Sequence, residues 1–473
     1  MFIGRKEEKA VLHQAIESNR SEMVAVIGRR RVGKTYLINQ TLSDHIVFKQ
    51  TGVRGASTEQ QLEIFTKDLS SAWGKTVSSV NSWLDAFYLL REYLEDISSS
   101  DKRQVVFFDE LSWLASAKSN FLDFLGHFWN DWAVNKNIVV VLCGSVSSWI
   151  INKVINDKGG LHNRVTKYIH LKPFTLRETE AFLQAKGASL TRFQIVSLYM
   201  AIGGIPLYLE DVDPKQSAVQ NIDRMCFSPN GFLRDEFSRL YPALFDDAHY
   251  HIAVIKELAK KHMGMTRAEI IDRAELPNGG KATQLISELE QSDFIMAYPP
   301  FGKKKKGAVY RLIDEYSSFY LRFIDSKKRM GEGAWLRIAQ SQPYRVWSGY
   351  SFEGVCMKHI DSIKIALGIS GMISSPCSFF SKGNDEEKGL QIDMLLDRAD
   401  RVIDLFEVKF YQSEVNLKEE NATTMRERLF RFQRLTKTKS QLNWVFISPY
   451  GLNMNKHAIG LVNKSLTLDD LFN

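Results

Sequence analysis

Three short runs of consecutive apolar residues stand out in the first third of the chain. They cover residues 23–27, 105–108 and 138–144, and each ends beside a glycine or an aspartate. Continuous apolar runs of this length are typical of parallel strands that are buried on both faces. The pattern therefore predicts an α/β fold built on a parallel sheet.

The pattern changes to helical spacing after residue 174. Apolar residues recur at helical intervals in residues 176–184, 193–202 and 232–241, which predicts a group of helices. The sequence Gly-Gly-Ile-Pro at residues 203–206 would interrupt this group, because glycine and proline both break helices.

Residues 246–325 combine three predicted helices with two β-like runs. Residues 251–260 form one amphipathic helix, Thr266 opens a second with a capping box, and residues 282–291 form a third with Leu285, Ile286 and Leu289 inward. The β-like runs at 294–298 and 309–313 follow, joined by a loop that contains four lysines. This order of elements predicts a winged helix.

Two further β-like runs, 391–398 and 402–409, are separated by three residues. A hairpin is the natural connection. If residues 398 and 402 close the loop, Asp393 lies opposite Glu407, with their Cβ atoms about 5 Å apart. Lys409 then shares a face with Glu407, because side chains alternate along a strand.

Composition narrows the class of protein. A length of 473 residues is enough for about three domains, and 44% hydrophobic and 25% charged residues are ordinary for globular proteins. No apolar run approaches the roughly 18 residues of a membrane span, and the N-terminus lacks a signal-peptide core. The four cysteines show no metal-type C-x-x-C spacing. These features together lead us to expect a protein of the reducing cytoplasm that is not associated with a membrane. The net charge of +7 permits nucleic-acid binding without requiring it.

The strongest motif, G-x-x-x-x-G-K-[ST], occupies residues 28–35 between an apolar run and a helical pattern. Its glycines let backbone N–H groups surround phosphates, its lysine reaches the β- and γ-phosphates, and its hydroxyl is a ligand for Mg²⁺. The following helix adds its N-terminal dipole. The motif predicts binding of ATP with Mg²⁺ by Gly28, Arg29, Arg30, Arg31, Val32, Gly33, Lys34, Thr35 and Tyr36.

Acidic residues at the end of the run at 105–108 complement this motif. Asp109 would hold Mg²⁺ together with Thr35, and Glu110 would polarise the attacking water. Ser145 follows the run at 138–144, where it would either sense the γ-phosphate or cap a helix.

These motifs resemble the archaeal-type ATPase family, a group of AAA+/STAND-like P-loop ATPases. The resemblance rests on six motifs in the family's order: F-I-G-R-K-E-E at 2–8 with the loop at 28–35, F-F-D-E at 107–110, C-G-S at 143–145, N-R at 163–164 before L-K-P-F at 171–174, and G-G-I-P-L-Y-L at 203–209. It implies an ASCE/AAA+-like P-loop NTPase core followed by a helical lid over the nucleotide.

The same resemblance gives Arg164 the place of an arginine finger, which would offset charge on the γ-phosphate and imply a homo-oligomer if it acts on a neighbouring subunit. The alternative is a solvated arginine at a strand edge. Pro206 would approach the nucleotide, or residues 203–206 would simply form a turn between helices.

The lysine-rich loop makes double-stranded DNA the expected partner of the winged helix. Lysines 303–306 at a wing tip would neutralise phosphates without reading sequence. Lys281 and Gln284 on the third helix are candidates for contacts with base edges or backbone. A solvated turn or a protein-binding winged helix remains the alternative.

The predicted hairpin resembles the restriction-endonuclease-like PD-(D/E)xK fold. In that interpretation Asp393 and Glu407 hold a divalent cation, Lys409 assists attack on a phosphodiester, and Glu353 matches an acidic residue on the first helix. One departure is that Ile392, rather than proline, precedes Asp393. An inactive relative with a solvent-facing hairpin is the alternative.

Together these features predict four segments: a P-loop ATPase core (1–172), a helical lid (173–245), a winged helix (246–325) and an α/β nuclease-like domain (340–473). The expected function is Mg²⁺-dependent ATP hydrolysis that controls a DNA-binding winged helix and a metal-dependent nuclease. The rival is a STAND-type regulatory switch whose nuclease-like domain binds partners and cuts nothing.

Overall fold

The structure, a computed structural model, describes residues 2–98, 102–116, 118–277, 279–303, 307–325, 331–383 and 389–473, without the side chain of Asp393. The chain divides into two compact units. Unit 1 comprises residues 1–173 and 291–293, and unit 2 comprises residues 174–290 and 294–473. In the described ranges, no helix combines the length and the apolar character that crossing a bilayer requires.

Unit 1 alternates strands and helices. Its elements are α1 (Lys6–Glu17), β1 (Glu22–Ile27), α2 (Lys34–Leu42), β2 (Ile46–Thr51), α3 (Thr58–Trp73), α4 (Trp83–Asp96), β3 (Gln104–Asp109), α5 (Leu111–Leu114), α6 (Phe121–Asp131), β4 (Ile138–Gly144), α7 (Ser147–Ile150) and β5 (Lys167–His170).

The five strands described in unit 1 form one parallel sheet in the order β2-β3-β4-β1-β5. Every residue of β1, β3 and β4 is buried, so the prediction of buried parallel strands from continuous apolar runs is confirmed. Because the strands are parallel, the loops after β1, β3 and β4 emerge at the same edge of the sheet.

Large aromatic side chains fill one face of this sheet. Trp83 of α4 meets Phe121 of α6 edge-on, with ring centroids 4.6 Å apart, and Phe108 of β3 packs 5.6 Å from Phe121. Burial of each such side chain contributes about 1.5–3 kcal/mol. This core holds β3 in place, and β3 carries the Asp109–Glu110 pair at its end.

Unit 2 begins with helices, continues with a small sheet and ends with a larger sheet. Its elements are α8 (Leu176–Ala185), α9 (Arg192–Ile202), α10 (Pro206–Glu210), α11 (Ala218–Cys226), α12 (Glu236–Leu240), α13 (Ala248–Lys260), β6 (Met265–Thr266), α14 (Arg267–Arg273), α15 (Gly280–Gln291), β7 (Ile295–Tyr298), β8 (Val309–Leu312), α16 (Glu315–Phe323), α17 (Ala334–Ile338), α18 (Gln342–Lys358), α19 (Ile360–Ala366), β9 (Ser374–Ser381), β10 (Leu390–Arg398), β11 (Val402–Val408), β12 (Val415–Asn416), α20 (Glu419–Thr436), β13 (Gln441–Ile447), β14 (Leu452–Asn453), β15 (Val462–Leu466) and α21 (Leu468–Leu471).

The first helices agree with the predicted segments, with one exception. Gly203 ends α9 with φ 70°, and Pro206 occupies the first turn of α10, as expected of these two residue types. The predicted helix over 232–241 is wrong, since only Glu236–Leu240 is helical. The reason is that the Leu233 N–H donates to the carbonyl of Met225 at 2.9 Å, which turns the chain back on α11.

A buried histidine joins the first helices of unit 2 to its later part. The backbone N–H of Leu176 donates to Nε2 of His359 at 3.0 Å, and Nδ1 of His359 lies 2.7 Å from the carbonyl of Val355. Burial lowers the pKa of His359 to about 4. The imidazole is therefore neutral near pH 7 and can accept this hydrogen bond.

The four-segment division of the chain stays a prediction.

The middle of unit 2 has the predicted order of elements. Thr266 caps α14 through a capping box with Glu269, and Leu285, Ile286 and Leu289 of α15 are buried as expected. Strands β6, β8 and β7 form an antiparallel sheet in that order. The loop after β7 also reaches β9, because the Phe301 N–H donates to the carbonyl of Ser378 at 2.9 Å.

The last part of unit 2 is a mixed sheet in the order β15-β13-β11-β10-β9. Strands β10 and β11 form the predicted antiparallel hairpin, and β11 pairs in parallel with β13. Helix α20 lies against this sheet, where Phe432 packs edge-on against Phe379 of β9 with centroids 4.9 Å apart.

Candidate nucleotide site and C-terminal carboxylate centre

The loop between β1 and α2 depends on glycine at two positions. Gly28 has φ 150°, and a Cβ atom there would lie 2.3 Å from the carbonyl oxygen of Leu171. Gly33 has φ 91° and open space around its Cα. Non-glycine residues rarely adopt these backbone conformations. The local fold of the motif therefore follows directly from its two glycines.

Lys34 is buried at the first turn of α2. Its ammonium donates to the carbonyls of Gly28 at 2.8 Å and Arg29 at 3.0 Å, and to Oγ of Ser145 at 3.0 Å. Burial lowers the pKa of Lys34, and the nearby carboxylates of Glu110 and Asp109 oppose that effect. These contacts hold the ammonium at the mouth of the loop, between β1 and β4.

Thr35 and Asp109, the two predicted Mg²⁺ ligands, are in direct contact. Oγ1 of Thr35 donates to Oδ2 of Asp109 at 2.8 Å. A hydroxyl and a carboxylate are hard oxygen donors, which suit Mg²⁺. The residues present at this position therefore fit a magnesium ion bound together with phosphate oxygens.

Glu110 is joined to Lys34 through Ser145. Oγ of Ser145 donates to Oε1 of Glu110 at 2.7 Å, and the Ser145 N–H donates to Oε2 at 3.2 Å. Glu110 itself adopts φ 48°, an uncommon conformation for a non-glycine residue. Ser145 does not cap a helix, since α7 begins after Val146 without a side-chain cap. The three polar side chains form one continuous hydrogen-bonded line.

Other predicted residues contribute differently. The side chains of Arg29 and Val32 are buried, whereas that of Arg30 is exposed. Tyr36 is 50% exposed and packs edge-on against Phe2. Arg164 is exposed, and no contact among the described residues joins its side chain to the loop.

Arg5 is a residue of this site to which the sequence patterns assign no role. Its side chain is buried, its φ is 59°, and Nη2 donates to the carbonyl of Val32 at 3.3 Å. Arg5 therefore stabilises the backbone of the phosphate-binding loop at Val32. The signal was present in the F-I-G-R-K-E-E motif, but spacing alone does not say which side chain folds inward.

The carboxylate centre of unit 2 contains a residue that sequence reasoning missed. Oε1 of Glu407 lies 2.7 Å from Nζ of Lys409, and Oε2 lies 2.7 Å from Nη1 of Arg428 on α20. Burial alone would raise the pKa of Glu407, but the two cations outweigh it and hold the pKa below its usual range. Burial alone would lower the pKa of Lys409. The negative charge of Glu407, and more weakly that of Glu353, outweighs burial and raises the pKa above its usual value.

The predicted hairpin register is confirmed near the loop. Leu395 pairs with Leu405, Leu396 with Asp404 and Asp397 with Ile403. Beyond Leu395, β10 shifts its register against β9 between Ile392 and Leu395, so the pairing of position 393 with position 407 stays a prediction. The side chain of Asp393 lies outside the described residues. Where side chains are described, no three His, Cys, Asp or Glu residues group as metal ligands. Glu407 fits a divalent cation as one oxygen donor.

The predicted DNA contacts of the middle segment are partly engaged within the chain. Lys281 forms an ion pair with Asp247 at 2.8 Å, and Gln284 donates to Glu288 at 2.8 Å. Lys303 is exposed at the loop between β7 and β8, whereas lysines 304–306 lie outside the described residues.

The parallel sheet and the phosphate-binding loop give unit 1 the fold features of a P-loop NTPase. Residues 2–212 match the family described as an ATPase domain predominantly from Archaea. This part of the chain is therefore similar to ATPase domains of the archaeal type.

Two proteins of Methanocaldococcus jannaschii are similar in sequence. MJECL04 is 23% identical over 424 residues, covering 87% of this chain and 88% of that protein. MJ0423, named an ATP-binding protein, is 43% identical over 44 residues, 9% of this chain and 75% of that protein.

Two solved structures are also similar. The Walker-type ATPase PABY2304 of Pyrococcus abyssi has a TM-score of 0.48 and 16% identity, covering 68% of this chain and 96% of its own. The ORC2 protein of Aeropyrum pernix has a TM-score of 0.41 and 13% identity, covering 67% and 91%.

Proposed function

We propose that this protein is a Mg²⁺-dependent ATPase whose nucleotide state controls a DNA-binding winged helix and a nuclease-like C-terminal domain. The observation that carries the ATPase proposal is the hydrogen-bonded line Lys34–Ser145–Glu110 beside the Thr35–Asp109 pair. It brings a phosphate-binding cation, a candidate general base and two magnesium donors to one edge of the sheet. Calorimetric titration with ATP and Mg²⁺ tests it, and absence of binding would overturn it.

In this proposal each side chain has one task. Lys34 holds the β- and γ-phosphates, and Thr35 and Asp109 hold the Mg²⁺ that neutralises them. Glu110 accepts a proton from the attacking water once its carboxylate is free of Ser145. Ser145, which contacts both Lys34 and Glu110, adjusts both groups to the presence of the γ-phosphate.

Arg164 is proposed to act on the nucleotide of a neighbouring subunit in a homo-oligomer. Its exposure supports this role, because a finger acting in trans must project from its own subunit. Arg164→Ala and Glu110→Gln are each expected to lose hydrolysis. Mixing the two variants should restore part of it, since some interfaces then contain an intact Glu110 and a neighbouring Arg164. Phosphate release from the mixture measures this.

The control for that mixture is Lys34→Ala with Glu110→Gln. Lys34 and Glu110 belong to the same site, so no mixed interface contains both intact. Recovery in the control as well, or recovery in neither mixture, would count against a finger acting in trans.

We propose that residues 246–325 form a winged helix that binds double-stranded DNA. The order α13-β6-α14-α15-β7-β8 and the sheet order β6-β8-β7 support it. Of the wing lysines, Lys303 is exposed, as phosphate contact requires. Because Lys281 and Gln284 are engaged with Asp247 and Glu288, the wing is the better candidate for DNA contact.

Replacement of Lys303 and lysines 304–306 by alanine is expected to weaken duplex binding and to flatten its salt dependence. The slope of log affinity against log salt should fall by about 0.9 for each phosphate that a lysine no longer neutralises. Replacement of the same four lysines by arginine keeps the charge and should preserve the slope. Fluorescence anisotropy at several salt concentrations measures both. An unchanged slope in the alanine variant would assign the wing to solvent or protein.

A second candidate function, metal-dependent DNA cleavage, rests on the Glu407–Lys409 pair in the hairpin. The wing loop supports a shared substrate, because Phe301 hydrogen bonds to β9 and its ring lies 5.2 Å from that of Phe432 on α20. DNA on the wing would thus lie beside the domain proposed to cut it. The rival, a STAND-type switch with an inactive nuclease-like domain, predicts no metal binding that depends on Glu407.

A further inference from the structure

Arg428 is held in one position by three strands of the C-terminal sheet. Its guanidinium donates to Oε2 of Glu407 on β11 at 2.7 Å and to the carbonyl of Gln391 on β10 at 3.1 Å. It also lies over the ring of Trp444 on β13, 5.2 Å from the centroid. Its side chain is 24% exposed. A planar guanidinium with partners on three strands is a fixed charge rather than a mobile surface one.

Arg428 and Lys409 together occupy the carboxylate of Glu407. Lys409 contacts Oε1 and Arg428 contacts Oε2, so both carboxylate oxygens already face cations. The carboxylate is 16% exposed, so solvent screens these contacts only weakly. A dication approaching Oε2 would meet like charge and would have to replace the guanidinium.

We infer that Arg428 is a positioning residue of the C-terminal centre: it orients Glu407, and a divalent cation must displace it to bind that carboxylate. The inference rests on the proposed metal-dependent function of this hairpin. It assigns to α20 a direct influence on metal affinity, through a residue 21 positions after Glu407 that belongs to no predicted motif.

Titration of the full-length, nucleotide-free protein with Mn²⁺ tests the inference. Arg428→Gln and Arg428→Met both remove the competing charge, and Met also keeps an aliphatic side chain over Trp444. Each is expected to strengthen Mn²⁺ binding that depends on Glu407 by about tenfold or more, since a like charge in contact with the ligand is removed. Glu407→Gln identifies which part of the binding signal belongs to this centre.

Arg426 provides the matched control. It lies on the same helix two residues earlier and is exposed, so Arg426→Gln makes the same change of charge without touching Glu407. Its Mn²⁺ affinity should equal that of wild type. Thermal unfolding of each variant shows which proteins are folded. The test needs only one of Arg428→Gln and Arg428→Met to be folded.

The outcomes separate this inference from the function on which it rests. If binding that depends on Glu407 is present but unchanged or weaker in the Arg428 variants, the inference is overturned and the metal centre stands. If neither wild type nor the Arg428 variants show such binding, the metal-dependent nuclease proposal fails together with the inference. An equal gain in Arg426→Gln would reduce the effect to long-range charge and would also overturn the inference.

Discussion

Glu110→Gln is expected to bind ATP almost as wild type does and to hydrolyse it at least about a hundredfold more slowly. An amide keeps the shape of the carboxylate but cannot accept the proton of the attacking water, and general-base catalysis typically contributes about 10²–10⁴-fold. Lys34→Ala is expected to lose binding instead, by about 10- to 100-fold, because a charged donor to phosphate is removed. Calorimetry and phosphate release together measure the two effects.

Glu63→Gln is the control for the change of charge. Glu63 is an exposed residue of α3 that pairs with Lys67. Its replacement should change neither the ATP affinity nor the rate of ATP hydrolysis. Undiminished hydrolysis by Glu110→Gln would remove Glu110 from the role of base. Equal loss of ATP affinity in the two active-site variants would mean that Glu110 supports the loop rather than the chemistry.

The sequence predicted those parts of the fold that local patterns determine. Strands β1, β3 and β4 are buried along their whole length, and strands buried on both faces typically produce uninterrupted apolar runs. The hairpin register followed from the length of its loop, since three intervening residues leave one natural pairing. The phosphate-binding loop followed from glycine and lysine at fixed spacing.

The parts that were missed depend on contacts between distant segments. The Ser145–Glu110 hydrogen bond spans 35 positions and Arg428–Glu407 spans 21, and neither pair has a periodic relation that a pattern could reveal. The helix wrongly predicted over 232–241 failed for the same reason. Its apolar spacing is helical, but the bond from Leu233 to the carbonyl of Met225 competes with the helix.

Gly28→Ala is expected to reduce ATP affinity by about a hundredfold or more. The added Cβ would lie 2.3 Å from the carbonyl oxygen of Leu171, a distance that forces backbone to move. Leu171 cannot yield easily, because its N–H donates to the carbonyl of Ile27 at 2.8 Å at the end of β1. The phosphate-binding loop must therefore shift, and since each hydrogen bond to a charged group contributes about 1.5–3 kcal/mol, losing one or two of those to the phosphates costs on the order of 10²-fold in affinity.

Gly33→Ala separates this clash from backbone conformation alone. Gly33 has φ 91° but nothing within 4 Å of an added Cβ, so alanine there meets only the conformational cost, about 1–2 kcal/mol. ATP titration and thermal unfolding of both variants should show the larger loss of affinity at position 28. Equal losses of ATP affinity would mean that the positive φ shared by the two glycines is the requirement for phosphate binding. The close approach of Leu171 to Gly28 would then have no separate effect on ATP affinity.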